Sequence, residues 1–186
     1  MLRVETTLNN PARFRVYRTV RRKGRKLKGW YPLRKGIVDM RRRVELSRGA
    51  NARYLDALAV VGDSQPAHRL LDPVSQPVKT PRPYRALRPI SPQESCLFAA
   101  VLRGEFHLQG VCNRDLRQAL YPSPPDDPAQ QRRAASRTTR HLRLLRAHQL
   151  IYRVGRTYYY RPTQKGQRVM NTALKFRHTD LALLAA

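Results

Sequence analysis

Between Leu142 and Met170 the periodicity of the chain changes twice, and that double change constrains the fold more than any other stretch. Leu142-Arg-Leu-Leu-Arg-Ala-His-Gln-Leu-Ile151 closes an apolar stripe of helical spacing, and Tyr152-Arg-Val-Gly-Arg-Thr-Tyr-Tyr-Tyr160 turns to period two around Gly155-Arg156. A helix running into a tight hairpin is the expected result. Gly155 suits the first central position of a type II′ turn, which needs φ above zero. Thr163, following Pro162, is placed to cap a further helix through Gly166 to Met170.

The segment upstream of this unit carries its own start and stop signals. Ser91-Pro92-Gln93-Glu94 is a capping box with proline at the first helical position, so a helix is predicted over about 92–103, stopped by Gly104. Glu105-Phe-His-Leu108 is expected as a short strand. Asn113 is expected to cap a second helix with Asp115 in its first turn and Leu116, Ala119 and Leu120 facing inward. After the break at Pro122–Pro128, Asp127 and Pro128 read as N-cap and first position of a long third helix reaching about His148. On that helix Ala135, Thr138, Leu142 and Leu145 fall within about one third of the wheel, whereas Arg133, Ser136, Arg137 and Arg140 lie opposite. Leu144 points to the outward side near the helix end, where a linker or a partner subunit is expected to cover it.

From Ser91 to about Arg177 the chain resembles the winged helix-turn-helix family, in particular MarR-like DNA-binding domains. Three stretches carry the resemblance: Asn113-Arg-Asp-Leu-Arg-Gln-Ala-Leu120, Thr139-Arg-His-Leu-Arg-Leu-Leu-Arg-Ala-His-Gln-Leu-Ile151 and Tyr160-Arg-Pro-Thr-Gln-Lys-Gly-Gln-Arg-Val169. The resemblance implies that helix three enters the major groove of double-stranded DNA, with Arg133, Ser136, Arg137 and Arg140 reading bases, and that the wing touches the backbone through Arg153 and Arg156. Arg114 joins the backbone set. A solvated arginine face is the plain alternative for helix three. The connection between helices two and three is longer and richer in proline than the tight turn of a helix-turn-helix.

Residues 1–61 are expected to form a β-hairpin and a long helix. Leu2, Val4, Thr6 and Leu8 alternate with polar residues, Asn9–Ala12 has turn chemistry, and Phe14, Val16 and Val20 resume period two. Arg21–Gly29 then reads as a basic loop, whose Arg22, Lys23, Arg25 and Lys26 are assigned to the DNA backbone. Ile37, Met40, Val44, Tyr54, Leu55, Leu58 and Val61 recur at helical spacing, with a weak middle at Gly49. A hairpin by itself is marginal, so either a second chain, as in a homodimer, or a missing upstream polypeptide is expected to complete it. Residues 62–90, with Pro66, Pro73, Pro77, Pro81, Pro83 and Pro89, read as an extended linker interrupted by a short helix at Ala67–Leu71. The fold class is therefore α+β: an N-terminal β-hairpin and long helix (1–61), a proline-rich linker (62–90) and a C-terminal winged helix-turn-helix (91–186).

Charge points to the same partner. The 186 residues hold 38 Lys+Arg against 12 Asp+Glu, a formal charge of +26 that is spread over both halves. A polyanion is the expected ligand, with arginine outnumbering lysine as bidentate phosphate and guanine contacts favour. Cys96 and Cys112 are too few for a disulfide framework, and neither they nor the scattered His68, His107, His141, His148 and His178 have zinc spacing. Cys96, beside Leu97 and Phe98, is expected to be a buried small hydrophobe.

No paired carboxylate spacing, Ser/His/Asp order or phosphate-cradling glycine loop suggests catalysis, so a non-enzyme without cofactor or metal is expected. For Tyr158, Tyr159 and Tyr160, ribbon packing is weighed against a recombinase-type nucleophile. No apolar run has the roughly 20 residues of a spanning helix, so a cytoplasmic protein with no membrane partner is expected.

The chain as a whole also resembles the C-terminal half of longer, poorly characterised bacterial proteins of mobile-element type, in which Leu2–Thr7 is internal. On that resemblance Met1 is an internal start, and the rival function is a fragment of a transposase or replication protein. An RNA or ribosome binder is a second alternative.

Overall fold

The computed structural model describes residues 5–59, 65–79, 81–123 and 127–179. It is a mixed α+β chain with two separate two-stranded antiparallel sheets, dividing into two compact units at 1–55 and 56–186.

In the first unit, β1 (Arg15–Arg22) pairs with β2 (Arg25–Pro32) in a register that sets Arg22 opposite Arg25. The two residues between them, Lys23 and Gly24, have φ of 49° and 76°. Positive φ at both central positions makes a type I′ turn, whose twist matches the strands it joins. The hairpin thus lies one strand later than the sequence suggests: the expected basic loop is its turn and second strand. Pro11–Arg13 is a 3-10 turn, the described residues between 5 and 10 form no strand, and positions 1–4 lie outside the described residues.

A 3-10 turn at Ile37–Asp39 leads into α1 (Met40–Ala59), which passes through Gly49 without a break. The expected apolar stripe of this helix does not cover the hairpin. Ile37, Met40, Val44, Tyr54, Leu55 and Leu58 are all exposed, and Val61 lies outside the described residues. The side carrying Arg42, Arg43, Leu46 and Ala50 is the less exposed one, and polar bonds explain why it wins. Asp39, 2% exposed, accepts both carboxylate bonds from Arg18 Nη1 (3.0 and 2.9 Å) and a third from Arg34 N (2.8 Å). Arg43 Nη2 donates to Arg34 O at 2.6 Å, and Thr6 Oγ1 donates to Asn51 Oδ1. Among the described residues of this unit only Pro11, Leu33, Asp39 and Ala50 are buried, so a charged anchor stands where a larger domain would have an apolar core.

The second unit is built around a single apolar cluster. The proline-rich segment belongs to it rather than acting as a spacer. Its short helix α2 (Ala67–Leu71) packs on the last helix of the chain, Val78 and Tyr84 form an antiparallel bridge, and Val74 and Leu87 are each 1% exposed in the core. Ser91 Oγ caps α3 (Pro92–Val101) by accepting from Glu94 N. Glu94 does not complete the capping box: its buried carboxylate takes Arg85 Nη1 at 2.6 Å and Arg88 N.

Residues expected as a first strand instead form a helical turn, α4 (Phe106–Gln109), which buries Phe106. The strand role passes to Val111, whose N–H and carbonyl pair with Tyr160 (both 2.9 Å). Helix α5 (Asn113–Leu120) starts one residue earlier than expected, with Cys112 rather than Asn113 at the N-cap and Asp115 accepting from Cys112 N. Asp127 caps α6 (Pro128–Ala147), accepting from Ala129 N at 2.9 Å. β3 (Ile151–Arg153) and β4 (Tyr160–Pro162) form the second sheet, with a longer connection than a two-residue turn; Gly155 has φ of 52°, as a type II′ position requires. Thr163 caps α7 (Gln164–His178), accepting from Gly166 N at 2.8 Å. Leu97, Phe98, Val101, Leu116, Leu145, Leu150, Val169 and Met170 fill the space between α3, α5, α6 and α7.

Candidate nucleic-acid interface

Helix α6 presents two chemically opposite sides because the residues between Ala134 and Leu145 alternate with helical period. Thr138, Leu142 and Leu145 are buried and Ala135 is half-buried, while Arg133, Ser136, Arg137 and Arg140 are exposed, as the sequence pattern predicts. The exposed set spans eight residues, about 10 Å along the axis. The buried side is fixed by polar bonds as well as by packing. Asn113 Nδ2 donates to Ala135 O (3.1 Å) and Thr139 Oγ1 (2.9 Å), and these bonds join α5 to α6 across the long proline-bearing connection. Arg114, one residue on, is exposed.

The C-terminal end of the arginine side is closed by the proline-rich segment. Leu144 is 6% exposed, and with Pro83 and Tyr84 it lines a groove of about 430 Å³ that also gathers Arg82, Arg85, Arg137, Arg140 and Arg143. The linker expected over Leu144 is therefore there. His148 Nε2 donates to Arg85 O at 2.9 Å, tying this segment to the end of α6. His141 also lines the groove, and burial, with Arg85 beside it, pushes its pKa below the usual 6.5. An uncharged imidazole among arginines leaves the groove ready for an anion without adding a buried charge. Arg82, Arg85 and Arg143 were not among the residues the sequence singled out. No local pattern gives the first two, since a chain reversal through Val78 and Tyr84 brings them to α6.

In the wing, Arg153 and Arg156 are both exposed, but their settings differ. Arg153 Nε donates to Thr157 O and its guanidinium lies 5.5 Å from the Tyr158 ring centroid, so this side chain helps to shape the loop. Arg156 stands at the tip. Tyr158 is 82% exposed, and Tyr159 and Tyr160 are half-buried. Arg22, Lys23, Arg25 and Lys26 are all exposed around the β1–β2 turn, in the other unit from α6.

The remaining reactive groups have structural settings. Cys96 is exposed on α3, contrary to the burial expected from its neighbours, because the helix turns Leu97 and Phe98 inward and leaves position 96 outside. Burial pushes the Cys112 thiol above its usual pKa, which disfavours a thiolate. Asp39 is engaged with Arg18, and Glu45 with Arg41 and Arg42. Among the described residues no group of three His, Cys, Asp or Glu side chains is arranged to hold a metal, and no helix is long and apolar enough to cross a membrane. Comparison of the chain with protein-family models, with curated proteins and with solved structures finds no match.

Proposed function

We propose that the second unit is a winged-helix module that binds double-stranded DNA, with α6 in the major groove and the β3–β4 loop on the backbone. The observation that carries this reading is the division of α6 into a buried Thr138–Leu142–Leu145 side and an exposed Arg133–Ser136–Arg137–Arg140 side. Arg side chains pair bidentately with guanine O6 and N7, and a helix of this width fits the roughly 12 Å major groove. The order α3, Val111, α5, α6, β3, β4, α7 supports this reading, as do the bonds from Asn113 that hold α5 against α6.

On this reading Arg133, Ser136, Arg137 and Arg140 reach base edges, and Arg114, Arg153 and Arg156 hold phosphates. The groove arginines Arg82, Arg85 and Arg143 extend the phosphate track beyond the end of α6. Selection from a random duplex library tests the proposal, followed by salt titration of the selected site. An enriched sequence is expected, with log K falling against log salt at a slope near −5 if about six phosphates are neutralised. Absence of enrichment, or equal binding to duplex RNA, would favour a shape-reading RNA binder instead.

A further inference from the structure

The solvent-facing side of the β1–β2 hairpin combines two features that take no part in the proposed α6 interface. The antiparallel register sets Tyr17 opposite Trp30, Thr19 opposite Lys28, Arg21 opposite Lys26 and Arg15 opposite Pro32, and directly opposed residues share a face. All eight are exposed. Tyr17 and Trp30 are 59% and 58% exposed and stack edge to face with ring centroids 5.5 Å apart. Large aromatic rings left open to water at the centre of a strand pair form an apolar patch that invites a partner. The patch is ringed by cations: Arg15 and Lys28 stand about 7 Å to either side of it along the strands, and Arg21 and Lys26 about 14 Å away. No Asp or Glu occurs between Phe14 and Val38.

We propose that this face binds single-stranded nucleic acid, with an unpaired base stacked on the Tyr17–Trp30 pair and the flanking phosphates on Arg15, Arg21, Lys26 and Lys28. Charge complementarity selects a polyanion, and the open rings select one that has free π-faces to offer. A duplex keeps its base faces inside its own stack and can use only the cations. A single strand uses both, and base stacking on one aromatic platform strengthens binding about tenfold to a hundredfold. The inference concerns the first unit alone and does not depend on what α6 binds.

Trp30 is the only tryptophan in the chain, so tryptophan emission, excited where tyrosine does not absorb, reports this face and no other. The full-length protein is titrated with a twelve-nucleotide oligothymidylate, an abasic strand of equal length and a twelve-base-pair duplex at one salt concentration, with binding followed independently by anisotropy of labelled strands. The oligothymidylate is expected to quench Trp30 emission by about half or more at saturation, and the other two to leave it nearly unchanged even where anisotropy shows them bound. Trp30→Ala and Tyr17→Ala are expected to weaken the oligothymidylate about tenfold or more, while Trp30→Phe, which keeps a ring, recovers most of that loss. Failure of the oligothymidylate to bind, binding without quenching, or equal quenching by the abasic strand or the duplex would each overturn the proposal.

Discussion

Replacing Gly166 by alanine tests how α7 is seated. A Cβ built at this position lies 1.9 Å from Leu150 O, 2.7 Å from Leu150 C and 2.9 Å from Leu150 Cα. Ordinary contact begins near 3.4 Å, so the first turn of α7 and the backbone at Leu150, between α6 and β3, must part by about 1.5 Å. The neighbour is backbone and cannot turn aside. The same carbonyl accepts from Thr163 N at 2.9 Å, so separation also weakens the entry to the helix. Overpacking of this kind costs about 1 to 3 kcal/mol, and a lost hydrogen bond about 1 kcal/mol. Alanine returns about 1 kcal/mol through its better helix propensity. The net loss is about 2 kcal/mol, a fall in melting midpoint of about 5 to 10 °C for a unit of this size. Gly49 in α1 is the internal control, because a Cβ there meets only the far end of the Arg53 side chain, at 3.1 Å. Gly49→Ala should leave the midpoint unchanged or raise it. Thermal unfolding followed by far-ultraviolet circular dichroism reads both variants, with hydrogen exchange in α7 identifying the unit that melts. A Gly166→Ala protein that melts at or above the wild-type temperature would refute the close approach of α7 to Leu150.

Two further outcomes follow from the second unit. A fragment beginning at Ile90 loses Val74 and Leu87 from the core, each worth about 1.5 to 3 kcal/mol, and removes the arginine that faces the buried Glu94 carboxylate; denaturant midpoints should rank it well below a fragment beginning at Gln65, and equal midpoints would return the proline-rich segment to the role of a spacer. Because burial holds the His141 pKa below 6.5, the unfolded chain takes up its proton first on acidification, so stability is retained above about pH 6.5 and falls as pH drops toward the lower folded value. His141→Gln should show a smaller loss between pH 7.5 and 5.5 than the wild type in chemical denaturation, and identical losses would remove His141 as the cause.

The elements that could be read directly from the sequence are those with chemical punctuation. Ser91-Pro92, Asp127-Pro128 and Thr163 each mark a helix start through a side-chain oxygen that the structure shows accepting a backbone N–H. The side of α6 carrying Arg133, Ser136, Arg137 and Arg140 was legible too, because one helical period sorts buried from exposed. What escaped depends on distance along the chain. Lys23-Gly24 is a weaker turn signal than Asn-Gly, and β2 opens on Arg25, Lys26 and Lys28, so that its first half reads as part of a basic loop. The apolar stripe of α1 misled, because Asp39 and its bonds to Arg18 and Arg34 N orient the helix more strongly than Met40 or Val44 can. Val74 and Leu87 have no periodicity to announce that they are buried. For the same reason Arg82 and Arg85 reached the groove beside α6 unforeseen. Glu105–Leu108 has no residue pattern that separates a strand from a single helical turn.

The most direct test of the duplex-binding account compares Arg137→Ala and Arg140→Ala with Arg156→Ala on a selected duplex and on a scrambled one at the same salt. Helix residues that read bases should cost about 1 to 3 kcal/mol on the selected site alone, whereas a wing residue that holds the backbone should weaken both duplexes equally. The account predicts that the ratio of the two affinities collapses for the α6 variants and is preserved for Arg156→Ala. Equal losses on both duplexes for Arg137→Ala and Arg140→Ala would contradict it, leaving α6 as a charged surface with no part in reading sequence.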